Sequence, residues 1–268
     1  MPTSDPLPEL LIEVYSDPIC PWCWVGHARL EGFLRSDEFQ SQIAPHVRTA
    51  VKFRPYLLDT RLPATSFPTP ERFYEKASRT EFEEFKPPTK REYYSKKFAG
   101  GLDAFDERIS RAAEESGLAG FRWLTEGKVG ATWLAHRLIW KAGEKSGSSV
   151  VVKGGEEGLE YIPTLQSRLV ERLYEDYHAN SSDLSDVEYL SSVAEQVGVF
   201  DDENQANEFL RGEEGEEEVG QKLEVAEMNG IRSIPFYIVN EGEDHMSEVG
   251  SHASFLKMMQ MAVAPYVR

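Results

Sequence analysis

Cysteine occurs at two positions of the chain, Cys20 and Cys23, both within the run Cys20-Pro21-Trp22-Cys23. Two thiols three residues apart can close a small disulfide ring and exchange it, or supply half of a metal site. The metal reading fails on ligand count, because a structural zinc needs four nitrogen or sulfur ligands. The six histidines, His27, His46, His136, His178, His245 and His252, include no pair at the spacing of such sites. Thiol–disulfide exchange is therefore the expectation, with Cys20 as nucleophile, and no metal is expected.

The neighbours of the pair tune that chemistry. A cysteine at a helix start faces unpaired backbone N–H groups and the positive end of the macrodipole, which favour a thiolate. Such cysteines in C-x-x-C motifs titrate at about 3.5 to 7.5 rather than about 8.5. A shift of two to three units stabilises the thiolate by about 3 to 4 kcal/mol. It raises the reduction potential by up to about 60 to 90 mV. Pro21 and Trp22 carry no charge, so an intermediate thiol and a reductase or isomerase role are expected, not a strong oxidant. His27 shares the helix face of the cysteines and is a candidate proton shuttle, although a packed or solvated ring is the plainer reading. Asp17 and Glu13 are the candidate proton acceptors for Cys23. Trp22 either offers substrate an apolar platform or covers the disulfide, and Trp22 and Trp24 should report reduction by fluorescence.

The elements that hold this pair follow from pattern. Leu10 to Tyr15 is a β-branched, apolar run that reads as a buried strand. Pro18 discourages a helix before it, and Pro21 suits a first helical turn, where its missing N–H costs nothing. Val25, Ala28, Leu30 and Leu34 then give a stripe close to helical spacing. Val47 to Phe53 reads as a second strand, so the cysteines sit at the strand-to-helix turn of a β–α–β unit. Residues 60 to 72 and 86 to 89 read as loops. Helical patterns follow at Arg72 to Phe85, Phe105 to Ser116, Thr132 to Lys145, Thr164 to His178 and Asp186 to Val197, with a short one at Asn207 to Leu210. Strand signals in this region are confined to Val150 to Val152. The acidic run Glu213 to Glu218 reads as a solvated helix start. Phe236 to Val239 and His245 to Val249 predict a hairpin around the turn 241–243. Gly250-Ser251 then opens a last helix with Phe255, Met258, Met259 and Ala262 on its apolar face. Proline cannot donate to a sheet, so Pro235 belongs at the start of its strand, and a cis Ile234–Pro235 bond would turn the chain sharply there.

Composition bounds the partners. The chain has 268 residues, 40% of them hydrophobic, with a formal charge of −17. That charge disfavours nucleic acid and anionic membranes as partners. No stretch approaches the ~18 apolar residues of a membrane span. No secretory signal is visible at the N-terminus, so a cytoplasmic location is expected, where a lone vicinal pair is more often catalytic than a structural staple.

Together the motifs resemble the DsbA-like branch of the thioredoxin superfamily, and within it the FrnE-type dithiol-disulfide isomerases. The carrying residues are Ser16-Asp17-Pro18-Ile19-Cys20-Pro21-Trp22-Cys23-Trp24-Val25-Gly26, then Ala135-His136-Arg137-Leu138, then Gly230-Ile231-Arg232-Ser233-Ile234-Pro235-Phe236. The resemblance implies an α/β thioredoxin fold split by a large all-helical insertion. Its two halves would be 8–58 and 216–268, with the insertion at 59–215. By position it makes Cys20 the exposed nucleophile, Cys23 the resolving cysteine and Pro235 a cis-proline packed against them. Trp22, Ile234 and Pro235 become the substrate-binding residues, Ile234 offering backbone groups to an extended chain. The chain departs from the pattern at Ala131, where relatives often carry asparagine, and at His27, where lysine is common. Gly143 to Gly158 looks like an extra loop.

Substrates on this reading are protein or peptide thiols and disulfides. No cofactor is tightly bound; glutathione is a candidate reductant or co-substrate, and a thioredoxin system a candidate recycling partner. Two other functions share the pattern. Glutathione-dependent isomerases and kappa-type transferases, including 2-hydroxychromene-2-carboxylate isomerase, use the same split fold but usually carry serine at the first thiol position. A non-catalytic chaperone would use the helical insertion alone. His136-Arg137 reads as a hydrogen-bonding pair between domains, and Trp123, Trp133, Trp140, Tyr161, Tyr174 and Tyr177 as core.

Overall fold

The computed structural model describes residues 7–62, 73, 87–98, 100–118, 120–123, 126–146, 151–153, 159–240, 244–247 and 249–267. Strand β1 (Glu9–Ser16) lies at the centre of a four-stranded sheet of order β2-β1-β5-β6. It runs parallel to β2 (Arg48–Pro55), from Glu9 opposite Arg48 to Ser16 opposite Pro55. On its other side β5 (Phe236–Val239) is antiparallel, with Tyr15 opposite Phe236. The short β6 (Asp244–Met246) pairs with β5 and ends the sheet.

Alternation along β1 sorts its side chains to two faces. Leu10, Ile12 and Val14 enter the main core with helix α1 (Pro21–Leu34) and helix α10 (His252–Val263). Phe33 of α1 stacks on Phe255 of α10, which also meets Tyr237 at right angles. Tyr15 turns to the opposite face and packs with Ile238, Ile231 and Ala226 of helix α9 (Glu216–Met228). The short α2 (Asp37–Gln42) joins α1 to β2.

Between the halves come α3 (Lys90–Lys97), α4 (Leu102–Glu115), α5 (Trp133–Ser146), α6 (Leu165–His178), α7 (Val187–Val197) and α8 (Glu203–Arg211). Thr164 and Asp186, the expected starts of two helices, are the N-caps of α6 and α7, each accepting from a backbone N–H of the first turn. The structure adds to the sequence reading at three places. Helices α2 and α3 give too few apolar positions to register as periodic patterns. The strand expected at Val150 to Val152 is β3 (Val151–Lys153), which pairs with β4 (Leu159–Tyr161), a strand that the sequence pattern did not signal. The expected short helix at Asn207 extends over all of α8, capped by Asp202. The helix expected at Arg72 to Phe85 and the turn at 241–243 lie outside the described residues.

The insertion is fastened to the sheet by polar side chains. Buried Gln166 of α6 accepts from Phe53 N–H at 3.0 Å and donates to the Ile139 carbonyl of α5 at 3.1 Å. It thereby covers the open edge of β2, where unpaired backbone groups would otherwise face solvent. His136 contacts the Tyr56 carbonyl at 3.0 Å, and Arg137 reaches the carbonyls of Phe209, Leu210, Gly212 and Glu214. Both residues bridge elements through hydrogen bonds. Of the aromatic residues assigned to the core, Trp123, Trp133, Tyr161, Tyr174 and Tyr177 are buried, and Trp140 is half-buried.

Candidate active site

Cys20 is the N-cap of α1, with Pro21 in the first turn and no side chain capping the helix start. The Cys23 N–H donates to the Cys20 carbonyl at 3.0 Å, and neither sulfur is in a disulfide. The preceding loop is held at three points. Cys20 N–H donates to the Asp17 carbonyl, the Tyr94 hydroxyl donates to the Ile19 carbonyl, and His178 Nε2 lies 3.1 Å from the Pro18 carbonyl.

The open thiol expected at Cys20 is not what the fold provides. Cys20 is 4% exposed and Cys23 2%. The reason is that the first two turns of α1 enter the core, where Pro21, Cys23, Trp24, Val25, Gly26 and His27 are all buried. Tyr94, Tyr174 and Tyr237 are buried around the pair, and the phenol of each is raised chiefly by that burial. The cysteines contribute to all three shifts, Cys20 at Tyr94 and both at Tyr174 and Tyr237.

The Ile234–Pro235 peptide bond is cis, and Pro235 is buried against α1. Gly26, one turn beyond Cys23, makes this approach feasible. A Cβ there would lie 2.5 Å from the Tyr237 hydroxyl and 3.0 Å from Pro235 Cγ. Ile234 is half-buried beside it. Trp22 is half-buried and turned toward α4, meeting Phe105 edge-on at 6.2 Å, with the Arg108 guanidinium 5.4 Å from its ring centroid.

Of the two candidate proton acceptors, the fold separates Asp17 from Glu13. Glu13 is bound to Arg54 at 2.5 Å across the β1–β2 pair. Asp17 is buried and accepts from the N–H groups of Leu58 (2.8 Å) and Ile19 (3.3 Å) and from the Thr132 hydroxyl (3.3 Å). Burial outweighs these bonds and pushes the Asp17 carboxyl up to about 7. His136 lies 3.8 Å away, but burial pushes it down to about 4, so it brings no positive charge at neutral pH. The Cys23 thiol is raised well above its ordinary value, by burial first, then by the adjacent Cys20 and the charge of Asp17. His27 is packed rather than poised for shuttling. Burial alone would lower it, but Glu171 at 2.9 Å and Glu31 at 3.6 Å hold it above its ordinary value. Trp24 donates to the same Glu171 at 3.3 Å and stacks on His178.

Sequence reasoning passed over Tyr56 and Arg232 as site residues. Tyr56 follows β2 directly and its N–H donates to the Ser16 carbonyl at 3.2 Å; burial raises its phenol, which Arg232 acts to lower and Asp17, Cys20 and Cys23 act to raise further. Its signal was present in position alone, since the end of a strand parallel to β1 must lie near the end of β1. Among the described residues, no group of three or more histidine, cysteine or acidic side chains could hold a metal ion, and no helix is long and apolar enough to cross a membrane.

A dithiol at a strand-to-helix turn facing a cis-proline, on this sheet order and with a helical insertion, defines a split thioredoxin fold. The sequence model of the DSBA-like thioredoxin domain matches residues 11–260, and the chain belongs to that family. Among solved structures it is similar to a probable DsbA oxidoreductase from Streptomyces coelicolor, at 19% identity and a TM-score of 0.70, covering 97% of this chain and 92% of that one. It is also similar to a provisionally assigned protein disulfide isomerase from Nitrosomonas europaea (13% identity, TM-score 0.59, 97% and 100% covered). A 2-hydroxychromene-2-carboxylate isomerase shares the fold at 12% identity, with a TM-score of 0.55 and 95% of each chain covered. No curated protein matches it in sequence.

Proposed function

We propose that the protein is a thiol–disulfide oxidoreductase of the dithiol-disulfide isomerase type, acting on protein or peptide disulfides through Cys20 and Cys23. The observation that carries this reading is the placement of both sulfurs at the start of α1, one turn from the cis-proline and beside a buried carboxyl. Because Cys20 is only 4% exposed, the side chains around it must part before substrate reaches it. The Cys20 thiolate then attacks one sulfur of a substrate disulfide; that S–S bond breaks, a Cys20–substrate disulfide forms, and the leaving sulfur departs as thiolate and takes up a proton. Asp17, with its carboxyl near 7, accepts the Cys23 proton. The Cys23 thiolate then attacks Cys20 Sγ, releasing the second substrate thiol and leaving the Cys20–Cys23 disulfide. A thiol reductant such as glutathione or a reduced dithiol protein returns the pair to its starting state. In the isomerase mode a second substrate thiol resolves the mixed disulfide and no net oxidation occurs. The charge of −17 favours proteins over nucleic acid as partners, and the setting proposed is the cytoplasm.

The test is reduction of a peptide disulfide in glutathione buffer by the parent, Cys20→Ser and Cys23→Ala. The parent turns over, Cys20→Ser loses all turnover, and Cys23→Ala accumulates a mixed disulfide on Cys20 detectable by intact mass. Undiminished activity in Cys20→Ser would sink the proposal and leave the glutathione-dependent isomerase as the reading to pursue. Aggregation suppression as the sole activity, equal with both cysteines changed to alanine, would point to the chaperone instead.

A further inference from the structure

A cleft of about 310 Å³ opens on the α9 face of the sheet, between the residues that follow β2 and those that precede cis-Pro235. Tyr56 and Leu57 form one wall, Leu223 and Ala226 of α9 a second, and Ile231 and Arg232 a third. The third wall leads directly into Ile234 and cis-Pro235, so the cleft continues the surface on which a substrate chain would lie. The Tyr56–Leu57 wall is tied to the loop that leads into Cys20, with Tyr56 N–H donating to the Ser16 carbonyl at 3.2 Å and Leu58 N–H to the Asp17 carboxyl at 2.8 Å.

Two chemistries meet there. The walls are mainly apolar, lined by Leu57, Leu223, Ala226 and Ile231. Arg232 is exposed and makes no ion pair or hydrogen bond among the described residues, although the chain has 46 acidic side chains against 29 basic ones. Glu227 also lines the cleft, from α9, and is not paired with Arg232. The opening is thus polar in a fixed sense, positive toward the cis-proline and negative toward α9.

We propose that this cleft is the side-chain subsite of the dithiol and that it selects peptide disulfides whose cysteine is flanked by one large apolar residue and one acidic residue. The apolar side chain fills the cleft against Leu57, Leu223 and Ala226. The carboxylate lies on Arg232, on the side away from Glu227. The proposal rests on the dithiol reading above and adds its substrate class. Selection is local, because the remaining charges of the molecule are largely screened beyond about 8 Å at physiological ionic strength.

The experiment uses disulfide-linked peptides that differ at the residues flanking cysteine, with Asp, Asn or Lys on one side and Leu or Gly on the other. Values of kcat/KM are measured at about 0.15 M salt for the parent, Arg232→Gln and Arg232→Glu. The parent is expected to prefer Asp over Lys by about fivefold, the size of one partly exposed ion pair. Arg232→Gln removes the preference and Arg232→Glu reverses it, while both keep two titratable thiols and the parental Tm. Replacing Leu by Gly lowers kcat/KM in the parent about tenfold, or about 1.4 kcal/mol. A flat response to both flanking residues, with turnover still dependent on Cys20, overturns the subsite and spares the dithiol reading. Turnover that survives Cys20→Ser overturns both. Reduction of glutathione disulfide alone, slowed by Arg232→Glu, overturns the peptide assignment in favour of glutathione.

Discussion

Asp17 occupies a place where a carboxylate is expensive to ionise, since it is buried and its hydrogen bonds come from neutral donors. Its proton is held up to about 7, against 3.8 for the ordinary carboxyl. Below about pH 4 both folded and unfolded chains carry the proton and Asp17 contributes nothing to pH dependence. Between about 4 and 7 the unfolded chain loses a proton that the native state keeps, so stability falls as pH rises. The integrated cost is up to about 4 kcal/mol above pH 7. Asp17→Asn is therefore expected to be more stable than the parent at pH 8 and equal to it near pH 4 in urea titrations. The same variant should release substrate slowly from the Cys20 mixed disulfide, and its resolving step should lose the acid limb centred near 7 in single-turnover pH profiles.

Helix α1 does two jobs that conflict at Gly26. It must begin at the dithiol, and it must let the cis-proline loop and β5 come within contact distance one turn later. Glycine lowers helix propensity by about 1 kcal/mol relative to alanine, yet alanine has no room here. With Tyr237 Oη, Pro235 Cγ and the Val249 carbonyl all within 3.2 Å of a Cβ, Gly26→Ala is expected to cost about 1 to 3 kcal/mol by overpacking. A lowered urea midpoint would check this, together with weakened binding of oxidised peptide to a Cys23→Ala background. Helix α7 shows the simpler case of an element held by its own cap. Asp186 accepts from the N–H groups of Glu188 at 2.8 Å and Tyr189 at 3.1 Å. Asp186→Ala should cost about 1 kcal/mol and leave peptide-disulfide turnover unchanged.

The two halves of the sheet and the helical insertion are joined by long-range polar bonds as well as by the core. Arg137 of α5 is fully buried and reaches four carbonyls between Phe209 and Glu214, the segment that leads into α9. Because α9 also carries one wall of the cleft, the guanidinium fixes the insertion and the C-terminal half relative to each other. Arg137→Met keeps the aliphatic bulk but strands these buried acceptors, and is expected to cost about 3 kcal/mol or more in thermal or urea unfolding. If Arg137 merely filled space, the methionine variant would match the parent. Arg137→Lys should recover only part of the loss, since one ammonium cannot reproduce the planar fork.

The dithiol, the strand before it, the helix after it and the proline step were all readable in the chain, because each depends on residues within a few positions of one another. Helix α3 shows the limit of such reading. It buries only Lys90 and Tyr94, so it gives no periodic stripe, although Thr89 and Glu92 form a complete capping box. That Asp17, not Glu13, is the buried carboxyl depended on Thr132, 115 residues away, and on Leu58. The closing-in of Cys20 depended on tyrosines from α3, α6 and β5, and the cleft on the end of α9 meeting the residue after β2. Local spacing sets which groups share a turn or a face. Burial, and with it proton affinity and access, is a sum over neighbours brought in from distant sequence, and exists only once the core has packed.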